Sequence, residues 1–170
     1  MSASVAAMIT AIVGVLGTLS APLLSQRISA RQSKEKAAAD ERRRKFEERR
    51  AAYTAMNRAC RDFNTALKDA LHRIRDDVYS DSDRAEVENI RRTYRDRYAE
   101  AQMTVPERVI DAVRAVNKIL AEADAAAKRL DRGIPQKDES PELILAALKD
   151  AEPKLTALTY IMRADLGVEN

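Results

Sequence analysis

The side chains of this sequence best suited to chemistry are few: one histidine, His72, one cysteine, Cys60, and an acidic group made of Asp76, Asp77, Asp81 and Asp83. Asp69 stands one helical turn before His72, the spacing of a carboxylate-x-x-His metal unit. A di-metal site inside a helical bundle needs two such units and two further carboxylates, and a second unit is missing. Cys60 and His72 together fall short of the four ligands of a zinc site. With Asp81 as the first position of a calcium loop, Glu86 occupies the sixth, where the sharp turn requires glycine. The aspartates therefore read as helix caps and His72 as a solvated or capping residue. Glycine-rich phosphate loops, nucleophile elbows and metalloprotease motifs do not occur. The expectation is a protein with no catalytic residues, no metal and no cofactor, and not an enzyme.

One further stretch invites a chemical reading. Arg91-Arg-Thr-Tyr-Arg-Asp-Arg-Tyr98 interleaves arginines with tyrosines, as nucleic-acid binders do. Tyr94 and Tyr98, however, continue an apolar stripe from Ile90, and Glu88 precedes Arg92 at i,i+4. A buried face plus a solvated face explains the pattern better than nucleic acid.

The elements that would position any site start from residues 3–24, which contain no charged side chain. As a helix of about 1.5 Å per residue, this segment spans roughly 33 Å, enough for a hydrocarbon core of about 30 Å. A cleaved signal peptide would need cations before the apolar run; here Arg27, Arg31, Lys34, Lys36, Arg42, Arg43, Arg44 and Lys45 all follow it. The segment is expected to be a single transmembrane anchor (residues 1–26), with a signal peptide or peripheral helix as the alternative. Positive-inside then places the amino terminus outside and the remaining chain in the cytosol, at a bacterial cytoplasmic membrane. Ala6, Thr10, Gly14 and Thr18 recur every four residues and form a candidate packing face for a homo-oligomer, although small residues are also ordinary filler in such helices.

The formal charge of +3 conceals an asymmetry. Residues 25–50 hold ten Lys/Arg against five Asp/Glu, whereas residues 51–170 hold twenty against twenty-two. The basic part, residues 27–50, reads as a helical stalk with little to bury. Its cations suit a bilayer with anionic headgroups, each contributing about 1 kcal/mol near the surface. Arg outnumbers Lys 21 to 9, a bias expected of a GC-rich bacterial genome. A lone cysteine agrees with a reducing compartment.

From Tyr53 the apolar rhythm becomes regular. Tyr53, Met56, Cys60, Phe63, Leu67, Ala70 and Ile74 alternate steps of three and four, with Leu71 and Val78 widening the stripe. The spacing predicts a first bundle helix to Val78, with Ser82 or Asp83 capping a second that ends near Met103. Thr104-Val-Pro-Glu107 reads as a capping box for the third, which stops at Gly133. Ser140-Pro141 opens a fourth, running to Leu166 with a kink near Lys149 caused by Pro153. The fold class is all-α: an amino-terminal transmembrane helix, a basic helical stalk, and a cytosolic antiparallel four-helix bundle of residues 51–166. A three-helix bundle sharing its first helix across a dimer is the competing architecture.

Pro22-Leu-Leu-Ser-Gln-Arg27, Arg50-Ala-Ala-Tyr53, Val105-Pro-Glu-Arg-Val109 and Met162-Arg-Ala-Asp-Leu-Gly167 together resemble a loose group of small actinobacterial membrane-anchored proteins of unknown function. The resemblance implies the anchor, the bundle and the membrane location, and no catalytic residues. The expected function is a single-pass scaffold or regulatory interaction module that holds a protein partner, or a second copy, at the inner leaflet. The alternatives are a membrane-active effector of phage or defence type acting through clustered anchors, and a membrane-tethered nucleic-acid binder.

Overall fold

The computed structural model describes the backbone of residues 2–168 and the side chains of residues 29–168. Five helices follow in order: α1 (Ser2–Arg75), α2 (Asp81–Thr104), α3 (Glu107–Asp131), α4 (Pro141–Asp150) and α5 (Glu152–Asp165), and no strand occurs among the described residues. The chain forms two compact units, residues 1–45 and residues 46–170. The expected anchor, with its Ala6, Thr10, Gly14 and Thr18 stripe, lies outside the described side chains, as does Arg27. Among the described residues no helix is long and apolar enough to cross a membrane.

In the first unit, residues 29–45 are helical and exposed, with only Glu41 half-buried. A helix that buries nothing depends on propensity and on pairs along its surface. Arg31 meets Glu35 at 3.5 Å, and Glu41 takes both Arg44 at 3.0 Å and Lys45 at 3.3 Å.

The second unit is an up-down-up-down bundle in which α4 and α5 together form the fourth leg. The ion pairs and hydrogen bonds fix the directions. Arg84 near the start of α2 pairs with Asp131 at the end of α3, and Arg108 at the start of α3 pairs with Asp165 at the end of α5. On α1, Arg49 meets Asp165, Asn57 accepts from Thr159, and Lys68 pairs with Glu152, so α1 and the fourth leg are antiparallel as well. Met56, Cys60, Leu67, Leu71, Val109, Val113, Leu120, Leu148 and Leu158 are fully enclosed between these legs. Each such aliphatic side chain contributes about 2 kcal/mol relative to exposure.

Helix ends depart from the sequence reading in informative ways. The first bundle helix stops at Arg75 rather than Val78, and Val78 is 61% exposed. The cap of α2 is Ser80, not Ser82 or Asp83: its hydroxyl accepts from the Asp83 N–H, and the Asp83 carboxylate accepts from the Ser80 N–H at 2.9 Å. That is a capping box with Asp at its third position. Thr104, by contrast, caps nothing. It stays in α2 with its hydroxyl donating to the Glu100 carbonyl at 3.0 Å, and Pro106 becomes the N-cap of α3. Ser140 does cap α4, with Pro141 in the first turn. The fourth leg is two helices rather than one kinked helix. Pro153 has no N–H to offer the Lys149 carbonyl, so the ladder breaks at Ala151, the last cap of α4 and the first of α5. Ala151 remains right-handed, and the buried stripe passes unbroken from Ile144 and Leu148 to Leu155, Leu158 and Met162.

Three helices close with the same paired bonds. The Ile134 N–H reaches the Arg129 carbonyl across left-handed Gly133, and the Val168 N–H reaches the Arg163 carbonyl across left-handed Gly167. At the end of α1 the Val78 N–H bonds the Arg73 carbonyl, but the left-handed position is Asp77, with φ of 55°. A side chain in this conformation is strained where glycine is not. Asp77→Gly is expected to stabilise the bundle by about 0.5–1 kcal/mol, read as a higher midpoint in urea. An unchanged or lower midpoint would show that the Asp77 side chain compensates its backbone.

Candidate interaction surface

The basic stalk is the first surface the sequence singles out. Arg31, Lys34, Lys36, Arg42, Arg43, Arg44 and Lys45 all stand on the exposed part of α1. At 100° per residue they are spread around the helix rather than gathered on one face. Such a distribution suits attraction to a charged surface and does not form an amphipathic membrane-lying helix.

The chemistry-bearing residues take quieter places. His72 is exposed in the last turn of α1. Cys60 is fully buried, and burial pushes its thiol up to about 12, so it is an inert core residue. Among the described residues no three His, Cys, Asp or Glu side chains are grouped to hold a metal ion. In the arginine–tyrosine stretch Tyr94 is buried and stacks on Phe63 with centroids 5.1 Å apart, and its hydroxyl donates to Asn117 at 3.0 Å. Arg91 pairs with Glu88 and Arg97 with Glu100. Tyr94 belongs to the core, and Tyr98 is half-buried against it.

The structure adds three features that the sequence reading did not contain. The first is a carboxylate knot at the end of α5. The Asp165 side chain is only 4% exposed, accepts a 2.6 Å hydrogen bond from the Tyr53 hydroxyl, and is paired with Arg49 and Arg108. The second is a closure at the far end, where Arg84 forks onto Asp131, holds Asp81 at 2.7 Å and lies over the Tyr79 ring. The Asp131 carboxyl is held below its usual range by that guanidinium. A cavity of about 370 Å³ floored by Leu67, Ala70 and Ile74 lies beneath it. The third is Asn64, buried on α1 with no hydrogen-bond partner for its Oδ1. No periodicity marks the first two, because each depends on which helix ends meet.

A concave surface lies along the groove between α1 and α2. α2 buries only Tyr94 and Ala101, whereas α3 buries eight residues, and Val87, Ile90 and Tyr98 are only partly covered. α2 therefore leans on α1 through a thin contact and leaves a furrow on its outer side. One section, about 750 Å³, is floored by Ala51, Ala55 and Ala59 and walled by Thr93 and Arg97. The next, about 380 Å³, continues over Thr65, Ala66 and Ala70 to Asp83 and Glu86. Asp62 lines both, so they form one surface. Small side chains on the floor let another helix approach closely. Ala51 precedes the core stripe, Ala55, Ala59 and Ala66 lie between its large residues, and Ala70 belongs to the stripe itself. Compared with known protein families, with curated proteins and with solved structures, the chain matches none of them.

Proposed function

We propose that this chain is a membrane-tethered interaction module: residues 1–26 anchor it, the basic stalk lies against anionic headgroups, and the helical bundle presents a docking surface on the cytosolic side. The observation that carries the reading is the open α1/α2 furrow, an alanine-floored surface beside α2, the helix that buries only two of its residues. Such a furrow suits a helix laid along it. The tether is supported by the uncharged residues 3–24 and by the cations from Arg27 to Lys45 that follow them. The work such a protein performs is positional, raising the local concentration of its partner at the membrane face. The resemblance to a loose group of small actinobacterial membrane-anchored proteins implies the same architecture.

Membrane fractionation tests the tether. The full chain should sediment with membranes and resist alkaline carbonate extraction, and a chain lacking residues 1–26 should be released. Recovery of both forms in the supernatant would overturn the anchor.

A further inference from the structure

The charges along the furrow have an order that points to its occupant. On the α1 side the charged residues lining it are Glu47, Arg50, Arg58, Asp62, Asp69 and Arg73. Their signs run minus, plus, plus, minus, minus, plus. Reversing both the order and the signs returns the same string. The geometry matches the signs, since Glu47 and Arg73, Arg50 and Asp69, and Arg58 and Asp62 lie equally far from position 60, to within one residue. The small residues obey the same symmetry: Ala55 and Thr65 are also equidistant from that point. At 100° per residue the six charges fall on the side of α1 opposite Met56, Phe63 and Leu67, and all are exposed. The α2 wall repeats the polarity, with Arg97 at one end and Asp83 and Glu86 at the other.

We infer that the furrow is an isologous interface, and that its occupant is a second copy of this chain laid antiparallel along α1 with the two-fold axis near position 60. A two-fold interface requires a patch complementary to itself, which this seam is. Within the chain Arg58 already meets Asp62 at 3.6 Å and Arg73 meets Asp83 at 3.0 Å, so a second copy would share these pairs, and each unlike contact would occur twice: Glu47 with the partner's Arg73, Arg50 with the partner's Asp69, and Arg58 with the partner's Asp62. Ala55 opposite the partner's Thr65 would let the helix axes come close. A parallel copy would place Glu47 on Glu47 and Arg58 on Arg58, which costs energy at every charged step. The inference rests on the furrow being the docking surface of the proposed module, and it names the partner.

Cysteine cross-linking of the full chain in detergent micelles tests it. Ala55→Cys and Thr65→Cys are made in separate proteins, with native Cys60 buried and silent. Mixed and oxidised, the two should give a covalent heterodimer, and neither alone should cross-link. Circular dichroism establishes that each variant is folded. Sedimentation of the unmodified chain should give twice the monomer mass. Arg50→Asp should weaken the dimer about tenfold, since two attractions become two repulsions, and R50D/D69R should restore it, because these two positions are too far apart on α1 to pair within one chain. A monomeric mass with no cross-link, homodimers of the Ala55→Cys protein alone, or a dimer indifferent to Arg50→Asp would each overturn the inference. Membrane sedimentation is independent of all these readouts, so a chain that pellets but stays monomeric would remove the self-docking alone.

Discussion

Replacing Phe63 with alanine is expected to destabilise the bundle by about 3–4 kcal/mol and to loosen α2 before any other helix. Phe63 is 2% exposed, and its ring stacks on Tyr94 with an interplanar angle of 30°. Tyr94 is in turn the only large side chain that α2 fully buries. Truncation leaves a cavity beneath it and removes an aromatic contact worth about 0.5–1.5 kcal/mol beyond area. α3 should feel the loss less, because it buries eight residues, Val109, Val113, Val116 and Leu120 among them, in the core cluster that it shares with Phe63 and Tyr94. Local stability follows the number of buried contacts, so amide exchange should rise in residues 85–100 much more than in residues 109–127. Chemical denaturation gives the magnitude and hydrogen exchange gives the location. Equal loss of protection in α2 and α3 would mean that the bundle opens only as one unit, and that the thin α1/α2 contact has no dynamic consequence.

That weak seam shows what a sequence of this kind discloses and what it withholds. The core of α1 was legible because a buried helical face needs large apolar residues every three or four positions, and Met56, Cys60, Phe63 and Leu67 all lie where the rhythm places them. The Gly133 and Gly167 stops were legible because left-handed backbone strongly favours glycine. Asp77 escaped because it adopts that conformation without being glycine. Thr104 misled because its hydroxyl has two competing local partners, the next helix's N–H groups and its own helix's Glu100 carbonyl, and the second prevailed. Pro153 was correctly marked as a disruption, but the depth of the break depends on how the neighbouring legs support the chain. The Asp165 knot was hidden for a different reason. Arg49, Tyr53, Arg108 and Asp165 come from three helices, and only antiparallel packing brings them to one end of the bundle. The furrow was similarly obscure: alanine is an unremarkable helix former, and only the packing of α2 decides that Ala51 stays open and Ala55 half-open while Ala59, Ala66 and Ala70 are covered.

Removing the Asp165 carboxylate should cost about 2–3 kcal/mol at neutral pH. In Asp165→Ala the buried Tyr53 hydroxyl loses its acceptor, and the Arg49 and Arg108 guanidinium groups are left facing one another across the gap. Asp165→Asn keeps an acceptor for Tyr53 but not the charge, so it should cost less than the alanine variant. The carboxylate also gives stability a pH dependence of definite sign. Burial works to raise the Asp165 pKa, but the hydrogen bonds from Tyr53 and Arg108 and the charges of Arg108 and Arg49 outweigh it and hold the group below the ordinary carboxylate range. A group whose folded pKa is depressed binds its proton more readily when unfolded. Its stabilisation is therefore present in full above the unfolded value of about 3.9 and is lost as pH falls through the lower folded value. The stability gap between the native chain and Asp165→Asn should accordingly be constant near neutrality and close in acid. Urea titrations of both proteins across that range measure it. A gap that persists unchanged to the lowest pH at which both remain folded would show that Asp165 holds the three helices by shape and hydrogen bonding alone, with its charge contributing nothing.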